Sequence, residues 1–187
     1  MHYKYKNRKT ALFSDLPERL LEIGPGAGAN MRYYKPGTEV IAVEPNPHMH
    51  RSLIDQSERY GLQLRIVKGS AEVLNLMDNS IDAVVSTLTL CTIPDERQAL
   101  SEIKRVLKPG GKFYFLEHVA ANKGSLLRRI QIVIHRPWKW FFDGCHTHKN
   151  LRRRICETGF SNVQIENFKL YSPFIPITPQ ISGIARK

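Results

Sequence analysis

The chain has 187 residues, 42% apolar and 24% charged, enough to bury one full core and too few for two ordinary domains. Its three cysteines, Cys91, Cys145 and Cys156, cannot pair completely, which argues for a reducing compartment rather than a disulfide framework. No apolar run approaches the length of a membrane-spanning helix, and Met1 to Thr10 is polar and basic, so a soluble, cytoplasmic-type protein without a secretory signal is expected.

The predicted elements alternate. Arg19–Ile23 is a short apolar strand, followed by a glycine turn and a helix expected from near Ala29. Glu39–Val43 reads as a second strand, and Pro47–Tyr60 as a helix with proline near its start. Gln63–Val67 alternates polar and apolar residues as a strand does. Ile81–Thr87 is β-branched and mostly apolar, as a buried parallel strand should be. Pro94–Leu107 carries Ala99, Leu100, Ile103, Val106 and Leu107 on one helical face. Pro109-Gly110-Gly111 then stops that helix and turns the chain into a strand over Lys112–Val119. Gly124–Phe142 is amphipathic and basic, Lys149–Glu157 is a second basic helix, and Asn162–Phe168 and Ile181–Ala185 complete seven strands. The proline-rich stretch Tyr171–Pro179 cannot be a central strand and is expected to wrap the sheet end as an apolar wall. The pattern predicts a single α/β domain over 1–187: a Rossmann-like, doubly wound, seven-stranded, mostly parallel sheet with an antiparallel strand near the C-terminus. Residues 1–18 would be a short lid or arm, and 120–159 a basic helical insert.

The net charge of +11 is concentrated in two places. Between Lys123 and Arg154 there are nine Lys or Arg against one acid, Asp143, and Met1 to Thr10 carries four basic residues and no acid. Such segments are either solvated faces or surfaces that meet phospholipid headgroups, nucleic acid or an acidic metabolite.

Chemistry enters at Gly24-Pro25-Gly26-Ala27-Gly28, set directly between a predicted strand and a predicted helix. Glycines there let the chain turn sharply and let a ligand lie against the backbone. Glu44, at the end of the second strand, suits both hydroxyls of a ribose. Pro25 removes an N–H that a phosphate would use, and Glu22 repels a pyrophosphate while welcoming an ammonium. A nucleoside with an amino-acid tail fits these residues better than a dinucleotide, which describes S-adenosylmethionine.

Across nearly all of Arg19–Lys187 the chain resembles class I S-adenosylmethionine-dependent methyltransferases. Gly69-Ser70-Ala71-Glu72 resembles the loop that covers the adenine, Asp82-Ala83-Val84-Val85 resembles strand four, and Glu102 to Gly111 resembles the helix and turn before strand five. Gly28-Ala29-Asn30, Tyr33 to Gly37, Glu44-Pro45-Asn46-Pro47, Thr87 to Cys91, Phe113 to Ala120 and Phe142 to Cys145 are similar to the methyltransferase-like-7 group of alkyl thiol methyltransferases. The resemblance implies S-adenosylmethionine as cofactor, S-adenosylhomocysteine as product and a cofactor site at Glu22, Gly24, Gly26, Gly28, Glu44, Pro45, Asn46, Ser70, Ala71, Glu72 and Thr87. It departs at the N-terminus, where that group's hydrophobic anchor is not seen and a reduced lid is expected. Ser70 stands where many members have Asp, which leaves adenine to backbone groups or water, and Pro25 replaces a residue that is often Cys or Ser.

Methyl transfer from a sulfonium needs alignment and desolvation more than an elaborate triad. His118 is the candidate base for a thiol acceptor, against a structural histidine bonded to a neighbouring loop. Cys91 is expected in the pocket wall, and Asp143 as the cap of the following helix, with orienting His146 or touching substrate as alternatives. Cys145-His146-Thr147-His148 fits no zinc-finger spacing, and no metal is expected. Four functions compete: a small-molecule methyltransferase acting on an apolar acceptor, with a thiol favoured by the resemblance; a lipid or quinone-type methyltransferase with peripheral contact to anionic membrane; a cofactor-binding regulatory protein without turnover; and a nucleic-acid binder or modifier. The last is disfavoured, because no Asn-Pro-Pro-Tyr, Asp-Pro-Pro-Tyr or Pro-Cys motif is present and the aromatic residues cluster instead of spacing out as a stacking platform. No obligate protein partner is evident.

Overall fold

Five apolar runs pair side by side in parallel. In the computed structural model, which describes residues 2–171 and 174–187, these are β1 (Arg19–Ile23), β2 (Glu39–Val43), β3 (Gln63–Val67), β4 (Ile81–Thr87) and β5 (Leu107–His118). β6 (Asn162–Lys169) forms the far edge, and β7 (Pro179–Arg186) runs antiparallel between β5 and β6, giving the order β3-β2-β1-β4-β5-β7-β6. The seven strands, their mostly parallel sense and the late antiparallel strand are as the sequence predicts.

Successive strand residues face opposite sides, so the apolar strands supply two cores. Leu21, Ile23, Ile41, Val43, Val84 and Phe113 pack against α3 (Glu96–Val106) and α6 (Leu151–Glu157). Leu20, Val40, Ala42, Val85 and Tyr114 pack on the other face against Leu53 of α2 (Pro47–Arg59) and Phe13. Asn46 caps α2 by accepting from the His48 N–H at 3.0 Å, and Asp95 caps α3 by accepting from the Arg97 and Gln98 N–H groups.

Within the N-terminal segment expected as a lid or arm, residues 2–12 form a helix, α1 (His2–Leu12), whose Tyr5 and Lys9 are buried with Phe13 just beyond it, at four-residue spacing. Three local expectations change. No α-helix starts near Ala29: a single 3-10 turn, Met31–Tyr33, fills the short span before Pro36-Gly37 leads into β2. Gly124–Phe142 is two helices, α4 (Leu126–Val133) and α5 (His135–Phe141), joined at Ile134. Pro137 explains the break, since its ring would clash with the Val133 carbonyl of a continuous helix. Pro109-Gly110-Gly111 lies within β5 as a bulge, between the Leu107–Ile81 and Lys112–Ala83 pairings.

In the proline-rich stretch, Pro173 lies outside the described residues, Ile175–Ile177 forms a 3-10 turn, and Pro176 and Ile177 are buried. Pro179 is tolerated as the first residue of β7. Among the described residues, no helix is long and apolar enough to cross a membrane.

Candidate active site

At the carboxyl ends of β1, β2 and β4 lies a cleft of about 500 Å³, within the ~300–1,000 Å³ usual for small-molecule sites. Its floor is the glycine turn. Gly24 has φ +59°, and a side chain there would be driven into Thr89, so only glycine fits. Gly26 also lines the cleft, but space is open where its Cβ would stand, so the absent side chain leaves a cradle along the backbone. Gly28 serves packing instead: a Cβ would meet Gln56 at 3.0 Å and Leu53 at 3.2 Å.

Glu44 is held in place by the turn it faces. One carboxylate oxygen accepts from the Gly26 N–H at 2.9 Å and the other from the Asn46 N–H at 2.9 Å. Each oxygen keeps a lone pair for a ligand hydroxyl. Ser70, Ala71 and Glu72 close the opposite wall. That loop is anchored from α3, where Glu102 accepts from the Leu74 N–H at 2.9 Å and Arg105 donates to the Leu74 and Leu76 carbonyls.

Of the predicted residues, Gly24, Gly26, Glu44, Pro45, Asn46, Ser70, Ala71 and Glu72 line this cleft, while Glu22, Gly28, Thr87 and His118 do not. Glu22 is 1% exposed behind the turn, accepting from Asn30 at 2.6 Å and from the Tyr34 hydroxyl at 2.8 Å. Burial raises its pKa against those hydrogen bonds. Asn30 also donates to Thr87, and Lys9 of α1 donates to Asn30 at 2.6 Å, so a helix from outside the sheet pins the same network.

The rest of the wall comes from the β4 loop. Leu88, Thr89, Thr92, Ile93 and Pro94 line it, and Leu88 sits at φ +56°, a strained conformation for a branched side chain. Buried Glu117 holds this loop. Its Oε1 accepts from Ser86 at 2.8 Å, the Thr89 N–H at 3.2 Å and the Leu90 N–H at 3.3 Å. Burial lifts the Glu117 pKa to about 7 despite those bonds. Thr89 in turn donates to the Gly24 carbonyl at 3.1 Å, joining loop and glycine turn.

Beside the loop, His118 Nε2 faces Cys145 Sγ at 3.1 Å, and Cys145 lies 3.6 Å from Cys91 Sγ. All three are buried. Contact with Cys91, opposed by burial and aided by His118, holds Cys145 below the usual thiol range, while that same contact and burial push Cys91 up. Asp143 also departs from expectation. Asn150 caps α6 by accepting from the Arg153 N–H, and Asp143, at φ +42°, lines the cleft instead.

A family model described as "Methyltransferase domain" matches residues 21–115. The chain is 37% identical to thiol S-methyltransferase TMT1B of Rattus norvegicus, over 98% of this chain and 80% of that protein. It is 34% identical to thiol S-methyltransferase TMT1A of Homo sapiens, over 97% and 79%. The chain belongs to this methyltransferase family. It is an S-adenosylmethionine-dependent enzyme of the class I fold. Among solved structures, a SAM-dependent methyltransferase of Thermotoga maritima superposes with a TM-score of 0.71 at 22% identity, covering 100% of this chain and 90% of that one.

The sequence points to Asp143 only as one alternative contact to substrate, and it does not mark Met49, Thr92 or Ile93 as cleft residues or Glu117 as the anchor of the β4 loop in this methyltransferase. Position alone was available as a signal for Thr92 and Ile93, since both follow strand four at the sheet's carboxyl edge. Nothing local fixes that contact for Asp143, which reaches the cleft from 49 residues beyond Pro94.

Proposed function

We propose that this methyltransferase transfers a methyl group from S-adenosylmethionine to a thiol on a small apolar acceptor. The observation that carries the acceptor class is likeness to two named thiol S-methyltransferases over nearly the whole chain. The cleft suits the cofactor. Gly26 leaves the cradle in which its amino-acid tail can lie on backbone, and Glu44 offers two oriented oxygens to the ribose hydroxyls. With Ser70 at the adenine wall, recognition there falls to the backbone of Ser70–Glu72. When bound, the sulfonium supplies a methyl group already activated for in-line displacement.

The protein's own work is then alignment and exclusion of water. Leu88, Ile93 and Pro94 give the cleft an apolar rim that would exclude water from a bound acceptor. The cleft would hold the acceptor as a thiolate, its proton released to solvent, facing the activated methyl group. His118 is off the cleft wall with its Nε2 toward Cys145, so this reading assigns it no direct proton transfer. Labelled cofactor with a panel of thiols, phenols, amines and lipids tests the acceptor. Thiol products whose rate rises with thiolate fraction are expected; phenol or amine products without thiol turnover would refute it. We place the reaction in a reducing, cytoplasmic-type compartment, a reading supported by three unpaired cysteines.

A peripheral membrane contact is a second reading, favoured by the helical insert. Leu126, Val133, Trp140 and Phe141 are 73–80% exposed beside Arg128, Arg129, Arg136 and Lys139. Apolar surface of this kind flanked by cations suits anionic lipid and is the feature that would support a lipid acceptor. Flotation with anionic vesicles should recover the protein at low salt and lose it with Trp140→Ala. Absence of binding at low salt would return the insert to a solvated role.

A further inference from the structure

We propose that Cys91, His118 and Cys145 form a binding site for a single zinc(II) ion. Among the described residues they are the cluster of three such side chains whose ligand atoms approach closely, all within 4.8 Å of one another. The sequence alone offered no third ligand for the Cys145 segment. The fold supplies two, from the β4 loop and the end of β5.

The cluster is close to the size of a metal tetrahedron. Zinc–sulfur bonds of about 2.3 Å and zinc–nitrogen bonds of about 2.0 Å place ligand atoms roughly 3.5–3.8 Å apart. The two sulfurs stand 3.6 Å apart, as such an edge requires; the Cys145–His118 pair, at 3.1 Å, would open by a few tenths of an ångström, and all three ligand atoms lie within 4.8 Å of one another. A disulfide needs a much shorter approach of about 2.05 Å, and it would leave the imidazole with no role.

Burial strengthens the case. His118 is 3% exposed and aims Nε2 at the Cys145 thiol, which in turn meets Cys91. Outside the cluster the thiols meet weak partners, the Leu88 carbonyl at 3.5 Å from Cys91 and the Trp138 side chain beside Cys145. A buried imidazole nitrogen and two thiols facing one another form a donor set suited to a metal ion. A zinc ion with two thiolates and a neutral imidazole has no net charge, which is what a buried site tolerates. Binding releases the two thiol protons to solvent, with no change of oxidation state.

The scaffold is set before any ion arrives. Gly144, at φ +83°, turns the chain after α5, and the His146 N–H donates to the Cys91 carbonyl at 2.9 Å, which lays the two cysteine segments side by side. An ion there would clip the loop after α5 to the ends of β4 and β5. Three protein ligands leave a fourth position for water.

The test uses the full chain, purified reduced and without a histidine tag, loaded with zinc chloride and dialysed. We expect about one zinc per chain by elemental analysis, unchanged in Cys156→Ala and below about a tenth in Cys91→Ala and Cys145→Ala. Cobalt(II) loading of the parent should give a thiolate charge-transfer band and the intense visible bands of a tetrahedral site. Chelation should lower Tm in the parent and leave it unmoved in the two variants. The proposal is overturned by a parent that retains less than about a tenth of an ion after loading, by equal zinc in all variants, or by a thiol count showing Cys91 and Cys145 linked to each other. Should a variant fail to fold, zinc content and cobalt spectrum of the parent decide alone.

Discussion

The glycine-turn half of the cleft, from Gly24 to Asn46, is shaped by backbone: Gly24 and Gly26 at positive φ and a carboxylate clamped by two N–H groups. The other half is shaped by side chains that meet from distant segments, with Glu117, Thr89 and Asp143 drawn from β5, the β4 loop and the insert. Backbone geometry tolerates only one residue type at a point, whereas side-chain assemblies can be exchanged piece by piece. A methyltransferase built this way can keep its cofactor while its acceptor wall changes. The two halves join through Thr89, which hangs from Glu117 and bonds Gly24.

Substitutions that separate the halves test this division, the largest effect first. Gly24→Ala should cost about 3–4 kcal/mol of stability, from a strained φ and a collision with Thr89, and should abolish cofactor binding by calorimetry. A folded variant that still binds would show that the turn can relax. Glu117→Ala should cost about 3 kcal/mol in denaturant unfolding by stranding the Ser86 hydroxyl and two buried N–H groups. Because the joint is shared, it should also weaken cofactor binding, with Glu117→Gln recovering much of both; loss of stability with full cofactor affinity would uncouple the halves.

Glu44→Ala should lose about 1.5–3 kcal/mol of cofactor affinity with little loss of stability, and an affinity equal to the parent's would remove Glu44 from the site. The smallest effect is one of slope. Burial puts the Glu22 pKa above its ordinary 4.5, so the folded state holds the proton longer than the unfolded state. Stability from this group is therefore full below that ordinary value and is lost as pH rises through the folded pKa. Glu22→Gln should flatten the decline in unfolding free energy above about pH 4.5, and parallel profiles for variant and parent would refute the assignment.

The same division explains what could be read from the residues. All seven strands and the glycine turn with Glu44 follow from apolar runs, glycine spacing and one acid at a strand end, each a local signal. The helix expected near Ala29 failed because the residues between the turn and Pro36-Gly37 are too few, and Asn30 is committed to Glu22 and Thr87. The single helix expected over Gly124–Phe142 overlooked Pro137. Lys9 under Asn30 and Glu117 under Thr89 could not be read, because each joins residues 21 or more positions apart. Long-range pairing of this kind leaves no periodic trace.

The placement of tryptophan has a practical consequence. The chain has two, Trp138 and Trp140, and both lie on α5. Trp138 stacks on Phe142 with ring centroids 4.2 Å apart, whereas Trp140 is 80% exposed. Indole fluorescence therefore reports the insert and is silent about the sheet. An emission-monitored melt will follow loosening of α5, while far-ultraviolet circular dichroism follows the whole fold, and the two midpoints need not agree. The mismatch becomes an advantage with ligands: a blue shift on adding vesicles would come from α5, chiefly from Trp140, giving a built-in optical gauge of that helix without any label.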